Sequence, residues 1–182
     1  FLAGDQPAIS EARPGHRSQP LSGNWELCPL RQYTVGKDNY ENCFCAADFQ
    51  PVELGDWRKY LGSEFSGDAV YRLEFDCNNP GAFRFLDLGE VNYSASVKLN
   101  GRELGDRLWG PFHFVLADML QQKNNVLEIM VTNTLANAIS PDRVRKYWAV
   151  AFPPESRYEP IMRGFEQDSL CAGLVGPVRL LE

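Results

Sequence analysis

Short runs of alternating apolar and polar residues follow one another from Leu21 onward, and turn residues separate them. The clearest run extends from Ala69 to Phe75. Its odd-numbered members are Ala69, Tyr71, Leu73 and Phe75, and its even-numbered members include Arg72 and Glu74. A period of two predicts a β-strand with one buried face and one face in water.

Several other runs predict strands. Phe83–Leu88 is almost continuously apolar, which predicts a central strand covered on both faces. The remaining runs carry an apolar row on one side, and they are Ala95–Leu99, Phe112–Leu116, Val126–Val131 and Val178–Leu181. Helical periodicity is nearly absent.

Turn signals divide these runs. Asn100-Gly101 predicts a tight hairpin, because both residues accept a positive φ. Asp118–Gln122 is predicted to form one helical turn, with Asp118 as its cap. Asn124-Asn125 predicts a turn before the next strand. Residues 133–173 form a long irregular stretch, and such loops are often functional.

Strands spaced roughly every 10–15 residues predict an all-β, antiparallel β-sandwich. Residues 1–20 are rich in Pro, Gly and Ser, so we interpret them as an extended N-terminal segment or a linker. We assign residues 21–182 to a single β-sandwich domain. A (β/α) barrel is excluded, because it needs helices and about 250 residues.

Charge narrows the range of partners. The 182 residues have a formal net charge of -6 and a pI of about 5.0. This charge disfavours nucleic acid and anionic membrane surfaces as partners. No apolar stretch reaches the roughly 20 residues that span a bilayer. Aromatic residues make up 12% of the chain, which suits a thick core or exposed stacking surfaces.

The chain has five cysteines, an odd number that cannot pair completely within one chain. Cys43 and Cys45 share one face if their segment is a strand, which is compatible with a metal or redox pair. We favour buried or loop thiols, because metal sites need three or four ligands. The two histidines, His16 and His113, lie at unrelated positions.

Six segments carry a pattern that belongs together. They are Phe65–Arg72 (FSGDAVYR), Leu86–Val91 (LDLGEV), Val97–Gly105 (VKLNGRELG), Trp109–Phe114 (WGPFHF), Asn125–Asn133 (NVLEIMVTN) and Gly173–Leu180 (GLVGPVRL). In this order the segments resemble the sugar-binding jelly-roll domain, also called galactose-binding-like, of family-two-type and rhamnosidase-like bacterial glycoside hydrolases. Before Phe65 the likeness is limited to Leu21–Trp25 and Leu54–Trp57.

This resemblance implies a non-catalytic carbohydrate-binding or accessory module of a larger glycoside hydrolase that degrades polysaccharide. Its partners would be carbohydrate, the catalytic domain of the same parent chain, or both. The resemblance also implies a secreted or periplasmic protein. The alternative is a purely structural or interaction β-sandwich with no sugar affinity. A third hypothesis is a stand-alone enzyme, which would turn over aryl glycosides.

No catalytic residue is assigned. Glycoside hydrolysis needs two carboxyl groups across the scissile bond, and in the resembled enzymes these lie in a separate barrel domain. Asp87 and Glu90 flank Gly89, so we interpret them as turn or rim residues. His113 lies between Phe112 and Phe114, so it is expected to point away from the core. A G-x-S-x-G nucleophile motif is absent from the sequence.

Sugar binding needs an exposed aromatic ring and a few hydrogen-bonding side chains. The candidates are Trp57, Trp109, Arg145, Tyr147 and Trp148, all in or beside predicted loops. For Trp57 and Trp109 we favour the alternative that they plug the ends of the sandwich. No cofactor is expected. A structural calcium is common in related sandwiches, but no spaced ligand string appears, so no metal is assigned.

Overall fold

The structure is a computed structural model that describes residues 17–35, 40–139 and 170–182. Two antiparallel sheets pack over a common apolar core, which confirms the predicted all-β sandwich. In chain order the described strands are β1 (Ser18–Pro20), β2 (Trp25–Val35), β3 (Tyr40–Phe44), β4 (Gln50–Val52), β5 (Gly67–Phe75), β6 (Phe85–Asp87), β7 (Glu90–Asn92), β8 (Ser94–Leu99), β9 (Arg102–Arg107), β10 (His113–Val115), β11 (Asn125–Thr132), β12 (Gly173–Gly176) and β13 (Arg179–Leu181).

The larger sheet has the strand order β3-β2-β5-β11-β8-β9, and β4 also pairs with β2. The smaller sheet has the order β1-β13-β6-β10, and β7 and β12 form a separate pair. Two four-residue helices, α1 (Arg58–Leu61) and α2 (Ala136–Ile139), and a short 3-10 turn at Pro80–Ala82 interrupt the strands. Strand β1 lies within the predicted N-terminal segment, and Ser18 pairs with Leu181.

The middle of the larger sheet supplies one side of the core. Strand β11 pairs with β5 on one side and with β8 on the other. Every second residue of these strands points inward, as predicted, and these inner residues are buried. They form three rows across the strands: Leu73 with Leu127 and Leu99, Tyr71 with Ile129 and Val97, and Ala69 with Val131 and Ala95.

The smaller sheet covers these rows. Leu86 pairs with Phe114 on one side and with Leu180 on the other, and all three side chains are buried. The predicted central strand within Phe83–Leu88 is therefore β6, flanked by β13 and β10. Its outer face is only partly covered, because Phe85 keeps some exposure to solvent.

The hairpin between β8 and β9 is the predicted one. Asn100 and Gly101 have φ angles of 53° and 74°, as a two-residue turn of the I′ type requires. The Asn100 side chain also binds outside the hairpin. Its Oδ1 accepts a hydrogen bond from the Val126 N–H at 2.8 Å, and its Nδ2 donates to the Met119 carbonyl at 2.9 Å. One asparagine thus fixes both the turn and the neighbouring loop.

The predicted helical turn at Asp118–Gln122 is wrong. Ala117 and Asp118 adopt left-handed φ angles of 45° and 58°, and the Met119 N–H donates to the Leu116 carbonyl at 2.9 Å. Residues 116–119 therefore form a β-turn with both central residues at positive φ. Asp118 cannot cap a helix there. The absence of Gly and Asn at the two central positions hid this turn from sequence reasoning.

A buried polar cluster holds the start of β5 against the end of β11. Asn133 Oδ1 accepts from the Gly67 N–H, and Asn133 Nδ2 donates to the Phe65 carbonyl, both at 2.8 Å. Ser66 Oγ accepts from the Ala138 N–H at 2.9 Å, which attaches α2 to the same point. Buried amides of this kind stabilise a fold only when they are bonded, and Asn133 is bonded at both ends.

Asp56 makes a second connection. Its Oδ1 accepts from the Arg58 N–H at 3.0 Å and from the Ala172 N–H at 3.4 Å, and its Oδ2 accepts from Arg58 Nε at 2.7 Å. Burial alone would raise the pKa of Asp56, but these hydrogen bonds and the Arg58 charge outweigh it and lower the pKa. The carboxylate therefore ties the segment before α1 to the segment before β12.

Gly67→Ala is expected to destabilise the domain severely. A Cβ atom at Gly67 would lie 1.9 Å from the Arg31 carbonyl oxygen, which is backbone and cannot move aside cheaply. We expect a loss of at least about 3 kcal/mol in the free energy of unfolding, measured by chemical denaturation. Gly101→Ala is the matched control, because Gly101 also has a positive φ, 74°, but a Cβ there would meet open space. We expect this variant to lose only about 1–2 kcal/mol in the free energy of unfolding. Equal losses for the two variants would contradict this account.

Asp56→Asn tests the second connection by its pH dependence. The folded-state pKa of Asp56 lies below the unfolded value of about 3.9, so the carboxylate stabilises the fold above that pH. This stabilisation is lost as the pH falls through the folded-state pKa. We expect the variant to be roughly 1–2 kcal/mol less stable than the parent at pH 7. The difference should shrink in unfolding curves recorded below pH 4, and a difference independent of pH would contradict the assignment.

Candidate functional site

The structure separates the sequence-predicted aromatic residues. Trp57 is 0% exposed, and its ring stacks on Tyr71 at 6.4 Å and meets the edge of Phe65 at 5.5 Å between centroids. No face of the Trp57 ring is open to a sugar, so Trp57 is a core residue. Its burial is compatible with the alternative that Trp57 plugs an end of the sandwich.

Trp109 behaves in the opposite way. Its side chain is 74% exposed, and the preceding Leu108 is 68% exposed, in the loop between β9 and β10. We expected Trp109 to plug the end of the sandwich, but Phe112 occupies the buried position after the loop. The indole therefore presents its apolar face to solvent. The other candidates, Arg145, Tyr147 and Trp148, lie outside the described residues and stay predictions.

A charged row crosses the outer face of the smaller sheet. Arg179 and His113 flank Asp87 in register. Arg179 Nη2 donates to Asp87 Oδ2 at 2.6 Å, and the Gly89 N–H donates to Asp87 Oδ1 at 2.8 Å. His113 Nε2 lies 3.5 Å from the same Oδ1. Asp87 is only 5% exposed. Its carboxylate is therefore engaged in an ion pair and in the turn at Gly89, as the turn interpretation predicted.

His113 faces away from the core, as predicted, because Phe112 and Phe114 on either side of it are buried. Its side chain is 17% exposed. Within the described residues, His113 Nδ1 and Arg179 Nε are buried and have no hydrogen-bond partner. Asp87 is therefore bonded to Arg179 and to the Gly89 N–H, whereas these two nitrogen atoms make no hydrogen bond within the described residues. The alternation of Phe112, His113 and Phe114 predicts that His113 points outward. Its pairing with Asp87 could not be predicted, because it depends on which strands are neighbours in the sheet.

The outer face of the larger sheet carries a shallow groove of about 480 Å³. Two cross-strand rows run along it. One row is mostly apolar or small, and it contains Cys28, Val70, Met130, Ser96 and Asp106. The other alternates in charge, and it contains Glu26, Arg72, Glu128, Lys98 and Glu103. Among the described residues that line the groove none is aromatic, so these residues provide no platform on which a sugar ring could stack.

The described cysteines are free thiols. Burial raises the pKa of Cys28, Cys45 and Cys171, which makes these thiols less reactive. Cys43 is exposed and Cys45 is half-buried. Among residues 17–35, 40–139 and 170–182, no group of three or more His, Cys, Asp or Glu side chains converges on a metal position. In the same residues, no helix has the length and apolarity needed to cross a membrane.

No protein-family model matches the chain, and no curated protein matches it. Solved structures do match. A rhamnosidase from Novosphingobium sp. PP1Y aligns with a TM-score of 0.61 and 23% identity, over 99% of this chain and 16% of that one. A Faecalibacterium prausnitzii β-glucuronidase aligns with a TM-score of 0.57 and 16% identity, over 95% of this chain and 32% of that one. A GH2 β-galacturonidase from Eisenbergiella tayi, bound to glycerol, aligns with a TM-score of 0.51 and 22% identity, over 92% of this chain and 24% of that one.

These likenesses, at 16–23% identity, show a shared fold. The chain spans between 16% and 32% of the lengths of these three proteins, so it corresponds to one part of each. All three matches name a glycoside hydrolase, as the motif resemblance implied. The chain is thus a β-sandwich with the fold of a domain found within larger glycoside hydrolases.

Proposed function

We propose that this chain is a non-catalytic, carbohydrate-binding module of a larger glycoside hydrolase. The shared fold with part of a rhamnosidase, of a β-glucuronidase and of a GH2 β-galacturonidase supports a place in such a protein. The observation that carries the binding role is the exposed indole of Trp109. In this proposal the partners of the module are carbohydrate and the catalytic domain of the same parent chain, and the parent protein is secreted or periplasmic.

An indole ring suits this role for a physical reason. A sugar ring has one apolar face of C–H groups, and an aromatic ring offers a flat apolar surface on which that face can stack. Trp109 is 74% exposed and Leu108 extends the same apolar patch, so water is removed from both when a sugar binds. A tryptophan left this open contributes little to folding. Its surface is available for a ligand.

The buried carboxylates support a role without catalysis. Asp68 and Asp87 are the buried acidic residues of the described part of the chain. Asp68 binds the Arg31 guanidinium and accepts from Thr132 Oγ1 at 2.8 Å, and Asp87 binds Arg179. A general acid needs access to substrate. Both carboxylates are buried and already bonded to side chains of the fold, so we place the chemistry in another domain.

A second candidate is a purely structural or interaction domain. The groove on the larger sheet favours it, because the described residues of that groove form apolar and charged rows and none of those lining it is aromatic. In this alternative Leu108 and Trp109 also contact a neighbouring domain. The two candidates differ in what they require at position 109: stacking requires an aromatic ring, whereas protein packing requires only apolar bulk.

Titration of the 182-residue chain with oligosaccharides that contain rhamnose, glucuronate or galacturonate, followed by isothermal calorimetry, tests the proposal. We expect weak binding of at least one of them. Trp109→Leu should weaken it about tenfold or more, which corresponds to about 1.4 kcal/mol, whereas Trp109→Phe should keep it within about threefold.

Binding that Trp109→Leu leaves unchanged would exclude stacking at this loop. No heat with any glycan would leave the interaction domain as the function. Trp57→Ala is the structural control: it should lower the free energy of unfolding by about 3–5 kcal/mol, whereas Trp109→Leu should leave it nearly unchanged.

A further inference from the structure

A second groove lies on the smaller sheet, at the opposite end of β10 from Trp109. It has a volume of about 490 Å³, which is within the range of small-molecule sites. Trp109 precedes β10, whereas this groove is formed where β10 ends and the turn at residues 116–119 begins. The residues of interest are Phe83, Arg84, Phe85, Val115, Ala117 and Asp118.

The floor of the groove is apolar and partly aromatic. Phe85 pairs in register with Val115 on one side and with Leu181 on the other, so these side chains form a row on the outer face. Val115 is 45% exposed, and Phe85 is half-buried. Phe83 packs against the edge of the core and closes one end. The floor therefore offers a partly exposed aromatic side chain, Phe85, beside exposed apolar surface at Val115.

The rim carries one positive and one negative side chain. Arg84 and Asp118 are both exposed, and within the described residues neither side chain makes a hydrogen bond or an ion pair. The backbone beneath Arg84 is fixed on both sides. Its N–H donates to the Leu181 carbonyl at 2.8 Å, and its carbonyl accepts from the Leu116 N–H at 2.9 Å. The guanidinium is thus anchored at its base and free at its tip.

Asp118 is presented by a strained turn. Ala117 and Asp118 both have left-handed φ angles, and an alanine in that region costs about 1–2 kcal/mol. The turn places the Asp118 carboxylate at the rim instead of in a helix, where the sequence pattern had suggested it. Hydrogen bonding to a sugar needs an acceptor placed in this way, beside a donor and above an apolar floor.

We propose that this groove is a second sugar site, selective for a neutral sugar ring with adjacent hydroxyl groups. The ring stacks its C–H face on Phe85, Arg84 donates to the hydroxyl oxygens, and Asp118 accepts from the hydroxyl hydrogens. Because the two charges cancel, an uncharged ring fits best. A sugar carboxylate would gain from Arg84 but be repelled by Asp118. This inference rests on the proposed carbohydrate-binding function.

Backbone amide chemical shifts of the 182-residue chain report the site directly. Methyl rhamnoside and methyl galactoside serve as neutral probes, and methyl galacturonide serves as the charged one. We expect the neutral probes to shift the amides of Phe85, Val115 and Asp118. The charged probe should bind there at least tenfold more weakly than the galactoside.

Asp118→Asn supplies the decisive variant, since asparagine tolerates the left-handed φ of 58° as aspartate does. We expect it to weaken the neutral probes several-fold at the groove and to strengthen the charged probe, because the repulsion is removed. Asp48→Asn is the matched control, because Asp48 is exposed on the segment between β3 and β4, away from the groove. It should change neither affinity.

The outcomes separate the two proposals. Shifts confined to the loop at Trp109 would overturn the groove and leave the proposed function standing. Shifts at the groove that survive Trp109→Leu would support two independent sites. An Asp118→Asn variant that binds every probe like the parent would overturn the assignment of the rim. The absence of shifts with all three probes would overturn the groove, and calorimetry with oligosaccharides would still report separately on Trp109.

Discussion

Burial of every second side chain along the paired strands is the constraint on which the rest of this structure depends. The inner rows of β5, β11 and β8 meet Leu86, Phe114 and Leu180 from the smaller sheet, and almost no polar atom lies between them. A slip of one residue in any central strand would turn its apolar row into water. The Asn133 cluster and the Asn100 hairpin hold the register at both ends of β11. These polar contacts set the alignment, and apolar burial supplies most of the stability.

Because the inner rows are used for folding, ligand binding is restricted to loops and outer rows. The outer rows differ in how far their charges are already satisfied. Asp87 is neutralised by Arg179 and accepts from the Gly89 N–H, so it has little capacity left for a ligand. Arg84 lies three residues before Asp87, and Asp118 follows β10 of the same sheet, yet within the described residues neither side chain makes a hydrogen bond or an ion pair. This contrast distinguishes charges that support the fold from charges that can serve binding.

Sequence reasoning reached the sandwich because a period of two and the Asn100-Gly101 turn are local signals. It favoured the same position for Trp57 and Trp109, at the ends of the sandwich, because each lies beside a predicted loop; the structure buries Trp57 and exposes Trp109. Their exposure depends on which loop folds over the core, and this is a tertiary property. The turn at Ala117 was missed because neither of its central residues is glycine. The ionic rows and the grooves were out of reach, because each is assembled from strands distant in sequence.

The pairing of β1 with β13 has a consequence for how the domain is connected to other parts of a protein. Ser18 lies opposite Leu181, and the Glu182 N–H donates to the Arg17 carbonyl at 3.3 Å. The two ends of the described body are therefore neighbours on one sheet edge. A domain whose ends are neighbours can be inserted into a loop of another protein with little displacement of that protein's backbone, because both connections are made at one point. Such an insertion requires no change in the core of the inserted domain.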